Sequence, residues 1–393
     1  MLCAAAILMI TMGARQSMGL FIAPINQASG LGIVSISFAL AVGQFVWGAV
    51  QPVFGAIADK HGASRVMTFG SLLLAAGLAL TPFTRSEWAL LMTLGVLSAA
   101  GAGAGSFSIL IGATASQLPP ERRSFASGFI NAGGSAGQFV FAPLSQALIT
   151  AVGWMNALLA LAATSLLSLP LIAGVRSRGN AAIPSAAIAS DKTLGEQLSL
   201  ALREPSYIFL HLGFFTCGVH IAFLVTHLPG EVGLCGLPAS VSATSLALIG
   251  LFNIAGSLTA GALGNRYRMK YILSAMYASR AVIIGIYLLS PRTPMTFYVF
   301  SAALGFSWLA TVPPTAGLVG KLFGTRYLGT LFGLTLLSHQ IGGFLGAYLG
   351  GVTISRFGDY GWMWYADMAL ATLAALICLP IREKRPQPQL VPA

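Results

Sequence analysis

Gly55-Ala-Ile-Ala-Asp59-Lys60-His-Gly62-Ala-Ser-Arg65 is a short charged interruption in a chain that is otherwise almost continuously apolar. An apolar stretch over 34–58 leads into it, and another leaves it over 66–84. Crossing a bilayer takes about 20 mainly apolar residues, so both stretches are long enough. The interruption reads as a tight turn between two membrane-spanning helices. Its basic residues favour the cytoplasmic side. A weaker copy, Gly261-Ala-Leu-Gly-Asn265-Arg266-Tyr-Arg268, follows 206 residues after the first.

The rest of the chain repeats this texture. Of 393 residues, 56% are hydrophobic and 8% charged. Soluble domains carry about a quarter charged residues, so the apolar excess has to face lipid. Spans are expected at 2–24, 34–58, 66–84, 88–114, 124–150, 154–175, 206–229, 239–263, 270–290, 295–318, 327–354 and 361–380. The first charge is Arg15, with no basic region before it, which argues against a cleaved leader. The fold class is therefore all-α integral membrane, with twelve spans in two six-helix bundles. The bundles occupy 1–175 and 206–380, joined by a linker over 176–205 and followed by a tail over 381–393. The linker is the longest polar stretch, and its end, Thr193 to Arg203, suits a helix lying on the membrane surface.

Basic residues set the topology. With the 55–65 turn cytoplasmic, sixteen of the 21 Lys and Arg fall on that side and three opposite, while Arg15 and Arg280 lie inside spans. Both termini are then expected to be cytoplasmic, in the inner (plasma) membrane of the cell. The net charge of +11 follows from these loops and not from a nucleic-acid face. Cys3, Cys217, Cys235 and Cys378 have neither metal-ligand nor disulfide-framework spacing. No metal or cofactor is expected.

The two halves echo each other elsewhere. Gly128 and Gly137 in the fifth span precede Gly333 and Gly342 in the eleventh by 205 residues. Parallel six-span repeats are a known transporter plan, in which two rigid halves rock about a central site.

The 55–65 segment resembles the loop signature of the major facilitator superfamily, and the resemblance covers the whole chain. It implies a conformational latch made of Gly55, Asp59, Lys60, Gly62 and Arg65. Asp59 would face the start of the eleventh span at Thr325-Arg326-Tyr327, where a helix N-terminus favours a carboxylate. Asn265 replaces the acid in the second copy, so the C-terminal half should lack a charged equivalent. Arg123-Ser-Phe-Ala-Ser-Gly128-Phe-Ile-Asn-Ala-Gly133-Gly-Ser-Ala-Gly137-Gln138 and the segment Gly324 to Gly343 are similar to the monocarboxylate-transporter-like branch and its bacterial relatives. That branch implies small organic anions, often moved with a proton. Two of its features are missing: the acidic and tryptophan-containing motif near the first span, and the Asp/Arg pair of the eighth.

Polar groups inside the spans supply candidate site residues, because a mid-bilayer charge must face protein or water. Arg15 and Gln16 sit in the first span, and a guanidinium there suits a carboxylate. Thr216, His220 and His227 share one face of the seventh span, and His220 is the candidate proton carrier. Arg280 in the ninth span either binds substrate or bonds carbonyls between helices. Asn253 and His339 complete the candidate substrate contacts, with Gln340, Asn131, Gln138, Gln44 and Trp308 as further lining groups. Pro313-Pro314 should bend the tenth span.

No Walker motif, nucleophile elbow or metal-ligand spacing is present, so an enzyme is not expected and a gradient must drive transport. The expected function is a secondary transporter for small organic anions, proton-coupled and monomeric in the bilayer. The alternative is an efflux carrier for amphipathic, drug-like compounds.

Overall fold

The computed structural model describes residues 1–115, 120–175, 193–264, 266–324 and 327–383. Every regular element among them is helical. Eleven of these helices are long and apolar enough to cross a membrane. One of them, Gly128–Ala173, is 46 residues long and turns at Gly153, where φ 80° and ψ 160° suit glycine alone. It makes two crossings, the fifth and sixth, and the total becomes twelve.

Packing repeats with the sequence. A Cβ on Gly137 would strike the carbonyl of Met9, and one on Gly342 would strike that of Phe215. Met9 and Phe215 are 206 residues apart, on the first and seventh spans. In the same way Gly13 abuts Phe141, and Val219 abuts Gly346. Each half therefore builds the same close helix pair from glycines at the same register. The fourth span (Glu87–Ile111) and the tenth (Pro294–Phe323) also break at similar levels, at Gly105–Ser106 and over 308–311. The second break follows from Pro313 and Pro314, which cannot donate to the carbonyls four residues earlier.

The halves meet closely at the end away from the termini. The first span (Leu2–Ser29) tightens into a 3-10 turn at Met18–Phe21, which presses Gly19 onto the carbonyl of Val225 in the seventh (Pro205–Leu234). Gly351 of the eleventh span (Leu328–Phe357) seats Ser37 of the second (Ile33–Ala58), and Phe38 stacks edge-on against Phe344 and Tyr348. At mid-height Gly48 receives Gln340, and Gly250 of the eighth span (Ala239–Gly264) lies on the backbone of Ser135 and Phe139. Towards the termini this fit ends. Gly55, Gly128, Gly261 and Gly333 each face open space, with nothing within 4 Å of a Cβ. The molecule is sealed at one end and splayed at the other.

The linker yields a helix at Leu194–Arg203, as expected, started by a capping box between Thr193 and Glu196. It tucks Gln197 and Ala201 inward and leaves Leu194, Leu200 and Leu202 exposed. Residues 176–192 and Asn265 lie outside the described residues. A carboxylate nonetheless reaches the start of the ninth span (Met269–Leu289). Glu383 accepts from the backbone N–H groups of Met269 (3.1 Å) and Lys270 (3.0 Å) and from Nζ of Lys321 (2.7 Å). Lys270 Nζ donates back to the carbonyls of Leu379 and Ile381. The chain's end thus clasps the terminus-side ends of the ninth, tenth and twelfth spans within one half.

Glu383 is buried, so its charge-assisted bonds carry weight. Glu383→Gln should cost about 1–2 kcal/mol, seen as a lower melting temperature of the purified protein in detergent. An unchanged melting temperature would mean that the clasp holds nothing.

Candidate functional site

Arg15 lies about midway along the first span, where the helix Leu2–Gln16 gives way to the 3-10 turn. Its guanidinium donates to Oε1 of Gln44 on the second span and stands 4.3 Å from the centre of the Trp47 ring. Neither partner carries charge. Among the described residues no carboxylate lies within ion-pair distance of Arg15. The side chain is half-buried and borders a cavity of about 40 Å³, lined by Ala14, Gly43, Gln44, Leu94 and Ser98 among others. That space suits a few water molecules or one carboxylate group. Gln44 also faces Gly343 of the eleventh span, 3.6 Å from its Cβ position. Arg15 therefore sits beside the junction of the two halves.

Gln16 is buried next to it. The other sequence candidates do not gather around Arg15. His220 is 1% exposed and turns into the C-terminal bundle, where its Nδ1 stands 2.5 Å from Oδ2 of Asp367 on the twelfth span (Gly361–Cys378). Its ring meets the indole of Trp308 edge-on at 5.7 Å. Arg280 is also 1% exposed, and its Nη2 donates to the carbonyls of Ser307 (2.5 Å) and Trp308 (2.6 Å). These are carbonyls that the break in the tenth span releases from helical pairing. Of the two roles open to Arg280, the geometry matches bonding between helices.

Asn253 serves the same break from the other side. Its Oδ1 accepts from the backbone N–H of Leu309 (2.9 Å), and its Nδ2 donates to Oγ of Ser135 (2.8 Å) on the fifth span. It bridges the halves. His339 packs against Phe214, and its Nδ1 accepts from Nε2 of Gln340 at 3.2 Å. His227 Nε2 donates to the carbonyl of Ala347 (2.7 Å), a structural bond between the seventh and eleventh spans. Gln138 and Trp308 are buried, and Asn131 is half-buried.

The expected latch is only partly within view. Lys60, Gly62 and Arg65 are exposed at the 55–65 turn. Gly55 faces open space and not a neighbouring helix, because this end of the molecule is splayed. The side chain of Asp59 and all of Arg326 lie outside the described residues.

Asp367 is absent from the residues singled out by sequence above, yet it is fully buried and partners His220. The signal was available: a lone intramembrane acid and a lone intramembrane arginine in one half each require an answering group. What one sequence could not show is that His220 and Asp367, 147 residues apart, meet.

The pair is testable as a unit. Removing one partner of a buried hydrogen-bonded pair leaves the other unsatisfied and costs about 1–3 kcal/mol, more where a charge is left behind, whereas replacing both by apolar groups costs far less. His220→Leu should therefore destabilise the protein more than His220→Leu combined with Asp367→Leu, in thermal unfolding in detergent. A double-variant loss equal to the sum of those of His220→Leu and Asp367→Leu measured singly would show that the two side chains do not interact.

Comparison with known proteins agrees with this architecture. A family model described as Major Facilitator Superfamily matches residues 4–347. Monocarboxylate transporter 13 of Bos taurus is 28% identical over 385 residues, covering 94% of this chain and 86% of that protein. The oxalate:formate antiporter of Oxalobacter formigenes is 24% identical over 359 residues, covering 90% and 84%. The crystal structure of a bacterial homolog of the human lysosomal transporter Spinster, inward-facing and unoccupied, superposes with a TM-score of 0.70 at 13% identity. It covers 97% of this chain and 93% of that one, and shows the shared fold.

Proposed function

The chain belongs to the Major Facilitator Superfamily of transporters, and from that premise we propose that it carries small organic anions across the cell's inner membrane, coupled to protons, by alternating access. The observation that carries the reading is Arg15. A fixed cation inside the bilayer, answered among the described residues by an amide and an aromatic face, has an unmet need for an anion. A carboxylate suits it in charge and in fork geometry. The relatives named for monocarboxylates and for oxalate and formate support the same substrate chemistry.

Charge bookkeeping supports a proton as the second passenger. With Asp367 and Arg280 opposed and His220 neutral, the C-terminal interior is balanced, and Arg15 leaves the empty carrier at plus one. Binding an anion alone brings this to zero, and binding a proton alone brings it to plus two. Only the empty and doubly loaded forms carry equal charge, so these two change shape at the same electrostatic cost. The basic bias of the loops puts the splayed end on the cytoplasmic side, with both chain ends there. Gly55 and Gly333 then mark surfaces that close when the site turns outward, where Asp59, Lys60, Gly62, Arg65 and Arg326 act as the latch. The carrier works as a monomer.

Uptake into proteoliposomes tests the substrate class. Labelled lactate, pyruvate, formate and oxalate are offered across a pH step. At least one should accumulate, and Arg15→Ala should cut its rate about tenfold or more, the loss expected for a charge-assisted hydrogen bond. No accumulation of any of them, or an Arg15→Ala rate equal to wild type, would sink the organic-acid reading.

A further inference from the structure

At three interior positions the C-terminal half carries ionisable side chains where the N-terminal half carries apolar ones. At the 205–206-residue offset, His220 corresponds to Ala14, Arg280 to Leu74, and Asp367 to Leu161 or Ala162, all buried apolar side chains. The same bundle thus closes over alanine and leucine in its other copy. Buried ion pairs are weak sources of stability, so a charged trio kept in one half asks for a different role.

Its position supplies that role. At the break in the fourth span, the hydroxyl of Thr11 donates to the carbonyl of Gly105 at 3.2 Å. Cys217, 206 residues after Thr11, makes the equivalent approach to the carbonyl of Trp308. Only in the tenth span is a guanidinium added, with Arg280 clamping the carbonyls of Ser307 and Trp308. The His220 ring stands against Trp308 itself. Asn253 then ties the next residue, Leu309, to Ser135 in the other half. A continuous line of contacts runs from Asp367 through His220, the tenth-span break and Asn253 to the fifth span.

The pair is built to accept a proton. An ionised carboxylate can only accept, which places the proton of the His220–Asp367 bond on Nδ1. His220 Nε2 is then a bare base, buried without a hydrogen-bond partner among the described residues, and Asp367 Oδ1 is likewise unpartnered. One proton taken from water onto Nε2 makes an imidazolium and adds one positive charge to the cluster. Ionisable groups gather at Arg280, with Cys217 from the seventh span and Tyr277 from the ninth, whose ring lies 5.3 Å from the guanidinium. The tenth span contributes the indole of Trp308 and the hydroxyl of Thr311, which meets Cys217 Sγ at 3.4 Å. Asp367 is held by His220 alone among the described residues, while Arg280 is held by the carbonyls of the break.

We infer that His220 and Asp367 form a proton-operated latch on the break in the tenth span, set inside the C-terminal half and off the substrate path, and that Asn253 passes its state to the N-terminal half. Protonation adds a positive charge to the ring that stands against Trp308, on the same break that Arg280 clamps, and repulsion between the two cations alters the grip of Arg280 on the Ser307 and Trp308 carbonyls. Movement of the break pulls on Ser135 through Asn253. The fifth span, with Gly128 in the open end, follows. This inference rests on the proton-coupled reading above, and its test is separable from it.

Hydrogen–deuterium exchange of the full chain in lipid nanodiscs, without substrate, reads the latch at about pH 5.5 and pH 7.5, either side of the ordinary histidine range. Comparing variants at each pH removes the intrinsic pH dependence of exchange. In wild type, peptides covering 308–311 and the terminus-side part of the fifth span should change protection between the two conditions. His220→Gln and Asp367→Asn, both near in shape to the originals, should each abolish that change. Asn253→Ala should keep it at 308–311 and lose it in the fifth span. A wild type without a pH response, or a response that persists in both His220→Gln and Asp367→Asn, overturns the latch. A fifth-span response that survives Asn253→Ala overturns the transmission. Absence of organic-acid uptake with this pattern intact would overturn the carrier reading alone, and uptake with this pattern missing would overturn the latch alone.

Discussion

A charge held inside a bilayer must be answered by the protein or by a ligand, since lipid offers nothing to it. This chain places three full charges well inside its spans, and much of its organisation can be read from how each is answered. Arg280 takes carbonyls that a helix break has released. Asp367 takes the imidazole of His220. Arg15 takes a neutral amide and an aromatic face, which satisfy geometry but leave the charge uncompensated. The two answered charges lie within one bundle, and the unanswered one lies beside the junction of the two. That division matches the two roles proposed above, one conformational and one substrate-binding.

The helix breaks give those charges something to act on. A straight helix consumes its own backbone groups and offers no handle to a side chain. Where Pro313 and Pro314 interrupt the tenth span, carbonyls and an N–H become available, and they are collected from three directions by Arg280, Cys217 and Asn253. Backbone left unpaired at this depth is tolerable only when protein satisfies it. The break is therefore a place where several spans are joined through polar contacts, while the contacts elsewhere are mainly steric. Steric contacts dominate at the sealed end, where Gly19 lets two backbones touch and Gly351 seats the Ser37 side chain. The open glycines at the splayed end, Gly55 and Gly333, have the same residue type without the same contact. Small residues at matching levels on both sides allow either end to close.

Several features were legible from residues alone because they depend on local composition and spacing. The twelve crossings follow from apolar run length, including the division of the Gly128–Ala173 segment, since the fifth and sixth spans are separated where Gly153 turns the chain. The duplication follows from glycine spacing, and it reappears as repeated contacts at Met9–Gly137 and Phe215–Gly342. The helix after the linker follows from Thr193 and Glu196. Other features could not be read this way. His220 shares a helical face with Thr216 and His227, but periodicity cannot say which neighbour that face meets. Asn253 and Arg280 look alike as isolated polar residues in apolar spans, whether they line a cavity or hold a break. Glu383 lies past the last span, with no local sign that it folds back onto the ninth.

Twelve crossings in two related halves, and a few intramembrane charges in need of partners, follow from the order of residues alone. Run length and repeat spacing are properties of the chain before it folds. Folding assigns the partners: His220 to Asp367, Arg280 to the tenth-span break, Asn253 between the halves, and Arg15 with its charge unmet among the described residues. The physical reason is that these pairings join residues far apart in the chain, through faces whose rotation is fixed by close helix packing and not by any local signal.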